Sequence, residues 1–351
     1  LQVSGPAAGL AVVVWELIQR HGLIFLGMVV LLAGVIQAVA ALLKGGRWFR
    51  AVPPSVIHGM LGGIGMLIFA SQFHVMVDDS PQSSGILNLV TIPLAVWKGI
   101  ASSSDLPHQE AALTGVATIA SIVLWTRIKG PLSVVPGPLL GVLFGTSLAQ
   151  IFQFEVAYVS VPSDLIGSLT LPNAQTFRLL AQPAIWGAAL GVAAVASAET
   201  LLCATAVDRM HSGPRTNYNR ELLAQGIGNM LCGLLGALPM TGVIVRSSAN
   251  VQAGARSRLS AIMHGGWLAL LVLVLPQVLS YVPVASLAAI LVFTGYKLID
   301  PVAIQQLRKY GRAEVAIYAA TVLGIVTTDL LKGVLLGLAL AIGRLLYQVS
   351  D

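Results

Sequence analysis

Arg246 is the side chain whose position in this sequence most demands chemistry. It lies in Met240 to Arg258, MTGVIVRSSANVQAGARSR, where an arginine, two serines, a threonine and an asparagine interrupt an otherwise apolar chain. A cation at membrane depth is costly unless it meets an anion, a carboxylate or water. A short apolar run broken by glycine is poor at spanning a bilayer and good at ending part-way across one. There the free N–H groups of a helix start can hold an anion. The hydroxyls of Ser247 and Ser248 and the first-turn N–H groups would complete such a site beside the Arg246 charge. Two plainer readings stand next to this one: the arginine snorkels to an interface, or it pairs permanently with Glu199.

Glu199, in VASAETLLCA, is the second charge inside an apolar run. It shares a helical face with Ala196 and Cys203, where an unpaired carboxylate takes up a proton. It either caps a neighbouring broken helix or serves a coupling ion, a proton or sodium carried with the anion, and the two roles are compatible. Cys203 and Cys232 read as reduced thiols used as small apolar fillers. His58 and His264, near the ends of apolar runs, read as packed or interfacial side chains. The run HGMLGGIG from His58 fits close helix packing and lacks the Lys-Ser/Thr that ends a phosphate-binding loop. No HExxH, GxSxG, CxxC or paired acidic motif supplies a nucleophile, a base or a metal ligand set. Neither an enzyme nor a resident cofactor or metal is expected.

Elements must hold these residues, and the composition says which kind. Of 351 residues, 56% are apolar and 10% charged, against roughly 25% charged in a soluble domain, so the chain reads as an all-α polytopic membrane protein. Its first expected partner is the lipid bilayer. Lys plus Arg exceed Asp plus Glu by six (20 − 14). The basic residues sit in turns, where they orient a membrane protein and do not point to nucleic acid. Ser4 to Ile18 reads as a second half-helix, with Pro6 suited to the first helical position. Full spans are expected at Leu23 to Leu43, Ser55 to Val75, Ala111 to Trp125, Val135 to Phe152 and Ala184 to Val207. Further spans are expected at Leu222 to Leu238, Leu259 to Val282, Val284 to Leu298, Val315 to Thr328 and Leu330 to Tyr347. Gly226, Gly228, Gly233 and Gly236 would allow close helix packing. Ile86 to Ile100, interrupted by Pro93 and Lys98, reads as an interfacial piece, Phe154 to Val161 as a short strand, and the stretch to Gln182 as an external loop. With the two half-helices this makes about twelve membrane segments. If each crosses in turn, nineteen of the twenty Lys and Arg residues reach aqueous ends, fifteen of them on the side that the positive-inside rule makes cytoplasmic. Arg246 is left over.

The motifs LQVSGPAAGLAVVV, AETLLCATAVDRM and TGVIVRSSANVQAGARSRLSA followed by VPVASLAAILVFTGYKLI resemble the SulP family of inorganic-anion transporters over essentially the whole chain. The resemblance implies fourteen segments in two inverted repeats of seven, divided into a core and a gate domain. Two facing half-helices, each preceded by a short strand, would hold the substrate between their N-terminal ends. The third segment would start at Ser4 and the tenth near Val245. Two segments are then expected before Leu1, where the sequence begins without a methionine. Core segments would cover residues 1–50 and 183–282, and gate segments 51–182 and 283–351.

Carried over residue by residue, the resemblance makes Arg246 the basic residue of the anion site, with Val245 and Ser247 beside it and Gln2, Gly5, Pro6 and Ala7 on the opposite half-helix. Glu199 takes the acidic position linked to a coupling cation. Val245 stands where some members have serine, so a backbone N–H would serve there. Cys203 replaces a hydroxyl that sodium-coupled bicarbonate members use, which favours a proton or no coupling over Na+. The family's STAS domain is absent from this chain. The implied function is secondary active transport of a small inorganic anion, sulfate or bicarbonate foremost, across the cytoplasmic membrane (the inner membrane in a bacterium) by an elevator-type movement of a homodimer. Two alternatives stay open: a nucleobase or ascorbate carrier of the same fold, and a membrane sensor that binds an anion without carrying it. A nucleobase site would want a second buried acid, and Met240 to Arg258 contains none.

Overall fold

Long runs of Leu, Val, Ile and Ala favour helices that satisfy their own backbone groups, as a bilayer requires. A computed structural model describes every residue except 7–9, 47–52, 83, 102–105, 129–134, 161–166, 168, 170, 300, 329 and 351. The chain begins with β1 (Ser4–Pro6), α1 (Ala11–Leu42), α2 (Pro54–Met76), α3 (Gly85–Val90), α4 (Ile92–Ala101), α5 (Leu106–Trp125) and α6 (Gly137–Ile151). It continues through α7 (Ala174–Phe177), α8 (Pro183–Met210), α9 (Tyr218–Leu234), β2 (Met240–Gly242), α10 (Ile244–Gln252) and α11 (Leu259–Val274). It ends with α12 (Pro276–Ser280), α13 (Val284–Leu298), α14 (Pro301–Lys309), α15 (Arg312–Thr327) and α16 (Leu330–Ser350). Among the described residues, Val13–Leu42, Pro54–Met76, Pro183–Asp208 and Val284–Lys309 are long and apolar enough to cross a bilayer.

The contacts divide the chain into two units, Leu1–Ile57 with Asp164–Leu270, and His58–Ser163 with Leu271–Asp351. In the first, α1 lies along α9 and also packs on α8. Backbone meets backbone there: a Cβ at Gly226 would lie 2.7 Å from the Gly34 carbonyl oxygen and 2.8 Å from the Ala38 nitrogen, and one at Gly233 would lie 2.6 Å from the Gly27 oxygen. Glycine is what lets helices approach this closely. Gly22, at φ 83° and ψ 172°, breaks α1 into a short leading helix and the span behind it. At the far end of α9, Gly236 takes φ 67°. Its N–H donates to the Gly233 carbonyl and that of Ala237 to Cys232, at 3.3 and 2.8 Å. This left-handed cap stops the helix and turns the chain back into β2.

In the second unit α5 packs on α6 and α13, with the Thr118 hydroxyl donating to Ser286 Oγ at 3.1 Å. Gly65 of α2 and Gly295 of α13 meet reciprocally, a Cβ on either standing 2.8 Å from the other's carbonyl oxygen. The end of α2 is tied to α3 and α4 by polar contacts. Buried His74 sets Nδ1 3.1 Å from Asp79 Oδ2 and Nε2 3.0 Å from the Asn88 carbonyl oxygen, and Lys98 Nζ lies 3.1 Å from Asp79 Oδ1. Burial opposes the charge on Asp79, but the bonds from His74, Lys98 and the Ser80 N–H outweigh it and hold the carboxyl below its ordinary value.

Several expectations from the sequence need correction. Pro6 ends a strand and does not start a helix, since α1 begins at Ala11. Phe154 to Val161 supplies one bridge among the described residues, Tyr158 opposite Pro283, because α13 starts immediately after that proline and leaves no partner strand. The span expected to reach Val282 stops at Val274, where Pro276 takes an early position in the separate helix α12. Pro93 does not interrupt its helix: it lies in the first turn of α4, and the break falls at Thr91. The loop to Gln182 contains α7 and a 3-10 turn, Arg178–Ala181, while α14 occupies a stretch where no element was expected. Of the four glycines expected to allow close packing, Gly226 and Gly233 make the helix contact. Gly228 faces the Met240 side chain, and Gly236 is the cap.

Candidate functional site

Two strands of three residues each organise the site. β1 and β2 pair antiparallel, with Ser4 opposite Gly242, Gly5 opposite Thr241 and Pro6 opposite Met240. The Val243 N–H donates to the Val3 carbonyl at 2.9 Å. Met240 and Gly242 turn their N–H groups the other way, to Asn229 Oδ1 at 2.8 Å and Thr200 Oγ1 at 3.2 Å. Pro6, facing Met240, therefore sits where β1 owes no donor, which is why a residue without an N–H fits there.

Cross-strand partners share a face of the ribbon, so Val3 and Gly5 lie on the same side as Val243 and Thr241. The Arg246 guanidinium covers Gly5 on that side: a Cβ on Gly5 would stand 2.8 Å from Arg246 Nη1 and 3.4 Å from Cζ. On the same side the Thr241 hydroxyl donates to Glu199 Oε2 at 2.9 Å. The carboxylate singled out from the sequence is thus held by the strand residue directly opposite the glycine that the arginine covers. Glu199 and Thr241 are buried, at 8% and 1% exposure, and belong to α8 and β2.

The Arg246 side chain itself is exposed. Its neighbour Ser247 is fully buried, and about 100° of helical rotation separates the two. The Ser247 hydroxyl accepts from the Val3 N–H at 2.9 Å and donates to the Val243 carbonyl at 2.7 Å, stitching β1 to α10. It also lies 3.6 Å from the buried Cys203 sulfur. Gln2 donates from Nε2 to the Thr200 carbonyl at 3.2 Å, and its amide packs where a Cβ on Gly242 would fall. Asn250 donates to the Leu1 carbonyl at 2.9 Å. Val245 places its backbone in the first turn of α10, while its side chain, and Ala7 altogether, lie outside the described residues.

The structure thus gathers Gln2, Gly5, Pro6, Glu199, Cys203, Arg246 and Ser247 around one ribbon. Helix geometry leaves the first-turn N–H groups of α10, those of Ile244, Val245 and Arg246, without partners inside the helix, and the positive end of the helix dipole lies there. A guanidinium beside such a start offers one positive charge and several fixed donors. That suits holding a small anion. Four residues that frame the ribbon went unnoticed in the sequence: Gln37, Thr200, Gln225 and Asn229, at 0%, 0%, 3% and 0% exposure. A lone amide inside VVLLAGVIQAVAALL was the available signal for Gln37.

Comparison with known proteins gives this arrangement a context. The model of the sulfate permease family matches residues 1–321. The chain is 29% identical over 371 residues to the putative sulfate transporter YvdB of Bacillus subtilis, covering 100% of this chain and 65% of that protein. It is 26% identical to the bicarbonate transporter BicA of Picosynechococcus sp., over 92% of this chain and 55% of that protein. It therefore spans between about half and two thirds of these relatives' lengths. Among solved structures, the transmembrane domain of a cyanobacterium bicarbonate transporter BicA superposes with a TM-score of 0.76 at 24% identity, over 95% of this chain and 83% of that one. SLC26A9 does so with 0.77 at 16% identity, over 99% and 57%. These likenesses establish the fold, that of an integral, multi-pass transporter membrane domain.

Proposed function

We propose, from the premise that this chain belongs to the sulfate permease family, that it is the membrane part of a secondary carrier for a small inorganic anion. Sulfate and bicarbonate are the foremost candidates, as its relatives include proteins named as transporters of each. The observation that carries the reading is the Arg246 guanidinium over Gly5 at the start of α10. The anion sits against that start, held by the arginine and the first-turn N–H groups. The unit Leu1–Ile57 with Asp164–Leu270 acts as the moving core of an elevator and the other unit as its gate. Glu199, bonded to Thr241 beside the site, couples transport to a proton. Cys203, whose sulfur faces Ser247, offers Na+ no hard oxygen ligand, which supports a proton over sodium. The carrier works as a homodimer in the cytoplasmic membrane, in keeping with its family.

The test is uptake of radiolabelled sulfate and bicarbonate into proteoliposomes carrying the full-length protein. Arg246→Ala should abolish saturable uptake of the transported anion, and Arg246→Lys should retain part of it, since lysine keeps the charge and loses the planar fork. Wild-type uptake by Arg246→Ala would refute the site. Saturable binding without flux or exchange in the native protein would favour a sensor.

A further inference from the structure

The outer edge of β2 is covered by side chains from two helices. Met240 donates its N–H to Asn229 Oδ1 at 2.8 Å. Asn229 donates from Nδ2 to Gln37 Oε1 at 2.8 Å and to the Met240 carbonyl at 3.1 Å, and Gln225 donates to the same carbonyl. Gln37 donates from Nε2 to Ser197 Oγ at 3.2 Å, and Ser197 donates to the Ala193 carbonyl at 2.6 Å. Asn229 thus does the work of a third strand, accepting from and donating to one backbone residue.

The ends of this relay fix its direction. A backbone N–H can only donate and a backbone carbonyl can only accept, so neither amide can turn over without breaking bonds on both sides. Gln37 and Asn229 are fully buried, with 0% exposure, where an unpaired amide group is costly. The relay joins α1, α8 and α9 to Met240, and from Met240 the chain passes through β2 and Val243 directly into α10. Whatever fixes Met240 fixes the origin of α10 and the place from which Arg246 reaches over Gly5.

We propose that Asn229 and Gln37 are positioning residues of the anion site, setting the start of α10 through the backbone of Met240. The proposal rests on the reading of that start as the anion site. It differs from plain interhelical glue in what its loss changes: glue alone would alter stability and leave the affinity of the folded carrier untouched. Gln37→Leu removes the acceptor of one Asn229 Nδ2 hydrogen and the donor to Ser197 Oγ, while the bonds of those atoms to the Met240 and Ala193 carbonyls remain. Gln37→Glu, as a neutral acid, accepts from Asn229 through one oxygen and donates to Ser197 through the other, and its ionisation removes the donor.

Initial rates of sulfate and bicarbonate uptake by the full-length protein in proteoliposomes, normalised to folded protein, give KM and turnover separately. For the anion that is carried, Gln37→Leu should raise KM about tenfold, the scale of one lost buried hydrogen bond, with a much smaller change in turnover. Gln37→Glu should keep the wild-type KM at low pH and lose it as pH rises. Ser197→Ala should raise KM by a smaller factor, and with Gln37→Glu it carries the test if Gln37→Leu does not fold. An unchanged KM in Gln37→Leu, or in Ser197→Ala where only that variant folds, overturns the proposal, as does a Gln37→Glu variant whose KM ignores pH. Arg246→Ala separates the two levels. If it transports normally, the site reading fails and takes this proposal with it; if it fails while Gln37→Leu keeps its KM, only the relay is refuted.

Discussion

Replacing Gly5 by alanine puts a methyl group 2.8 Å from Arg246 Nη1 and 3.4 Å from Arg246 Cζ. Taking 3.4 Å as the onset of ordinary contact, the terminal nitrogen must retreat by 0.6 Å (3.4 − 2.8). The far end of an arginine can do this at little cost to the fold. The bound anion loses more. Moving one charge from about 4 Å to about 4.6 Å at an effective dielectric near 20 weakens the attraction by ~0.5 kcal/mol, about twofold in affinity. If the shift also breaks the charge-assisted hydrogen bond, a further ~1.5 kcal/mol goes, bringing the total to about thirtyfold. KM for anion uptake by Gly5→Ala should therefore rise between about twofold and about thirtyfold, with folded protein reaching the membrane in normal amount. The decisive measurement is a double-mutant cycle: in an Arg246→Lys background, whose shorter head no longer covers Gly5 in the same way, the alanine should cost much less. Equal, additive costs in both backgrounds, or a Gly5→Ala carrier with wild-type KM, would refute the reasoning.

Three other outcomes are expected. Glu199→Gln keeps an acceptor for the Thr241 hydroxyl but cannot titrate, so uptake should persist and lose its response to an imposed pH gradient; a response equal to wild type rules out Glu199 as the coupling group. Asp79 has its carboxyl held below the ordinary value of 3.8, so its stabilising contribution is complete above that pH and lost as pH falls through the lower folded value. The unfolding midpoint of the solubilised protein should drop on acidification below about pH 4, and Asp79→Asn should reduce that drop; an identical acid profile for the two proteins contradicts this. Gly226→Ala places a Cβ 2.7 Å from the Gly34 oxygen and 2.8 Å from the Ala38 nitrogen, both backbone atoms that cannot rotate away. It should lower stability by about 1–3 kcal/mol, visible as a lower melting temperature of the solubilised protein, and an unchanged melting temperature would show that α1 and α9 separate more easily than their contact implies.

Charge accounting alone isolated Arg246, because nineteen other basic residues could be given aqueous ends and it could not. The helices were legible for a similar reason, since long apolar runs leave few alternatives in a bilayer. Periodicity, by contrast, says nothing about strands of three residues, and only their mutual pairing across more than two hundred positions makes β1 and β2 strands at all. Arg246 and Ser247 show the same limit within one helix. Both are polar and adjacent, so the sequence treats them alike. The bond from the Val3 N–H to Ser247 fixes the helical phase, directing the serine into the backbone of β1 and the arginine towards Gly5. Gln37 and Asn229 lie 192 residues apart; a lone amide in an apolar run marks Gln37, but its pairing with Asn229 and the place of Asn229 beside Met240 appear only in the fold. The charge that could bind an anion is thus a local property of the sequence. Its aim depends on pairings between distant segments, so substitutions at Gly5, Gln37 and Asn229 are expected to change affinity although none of the three carries charge.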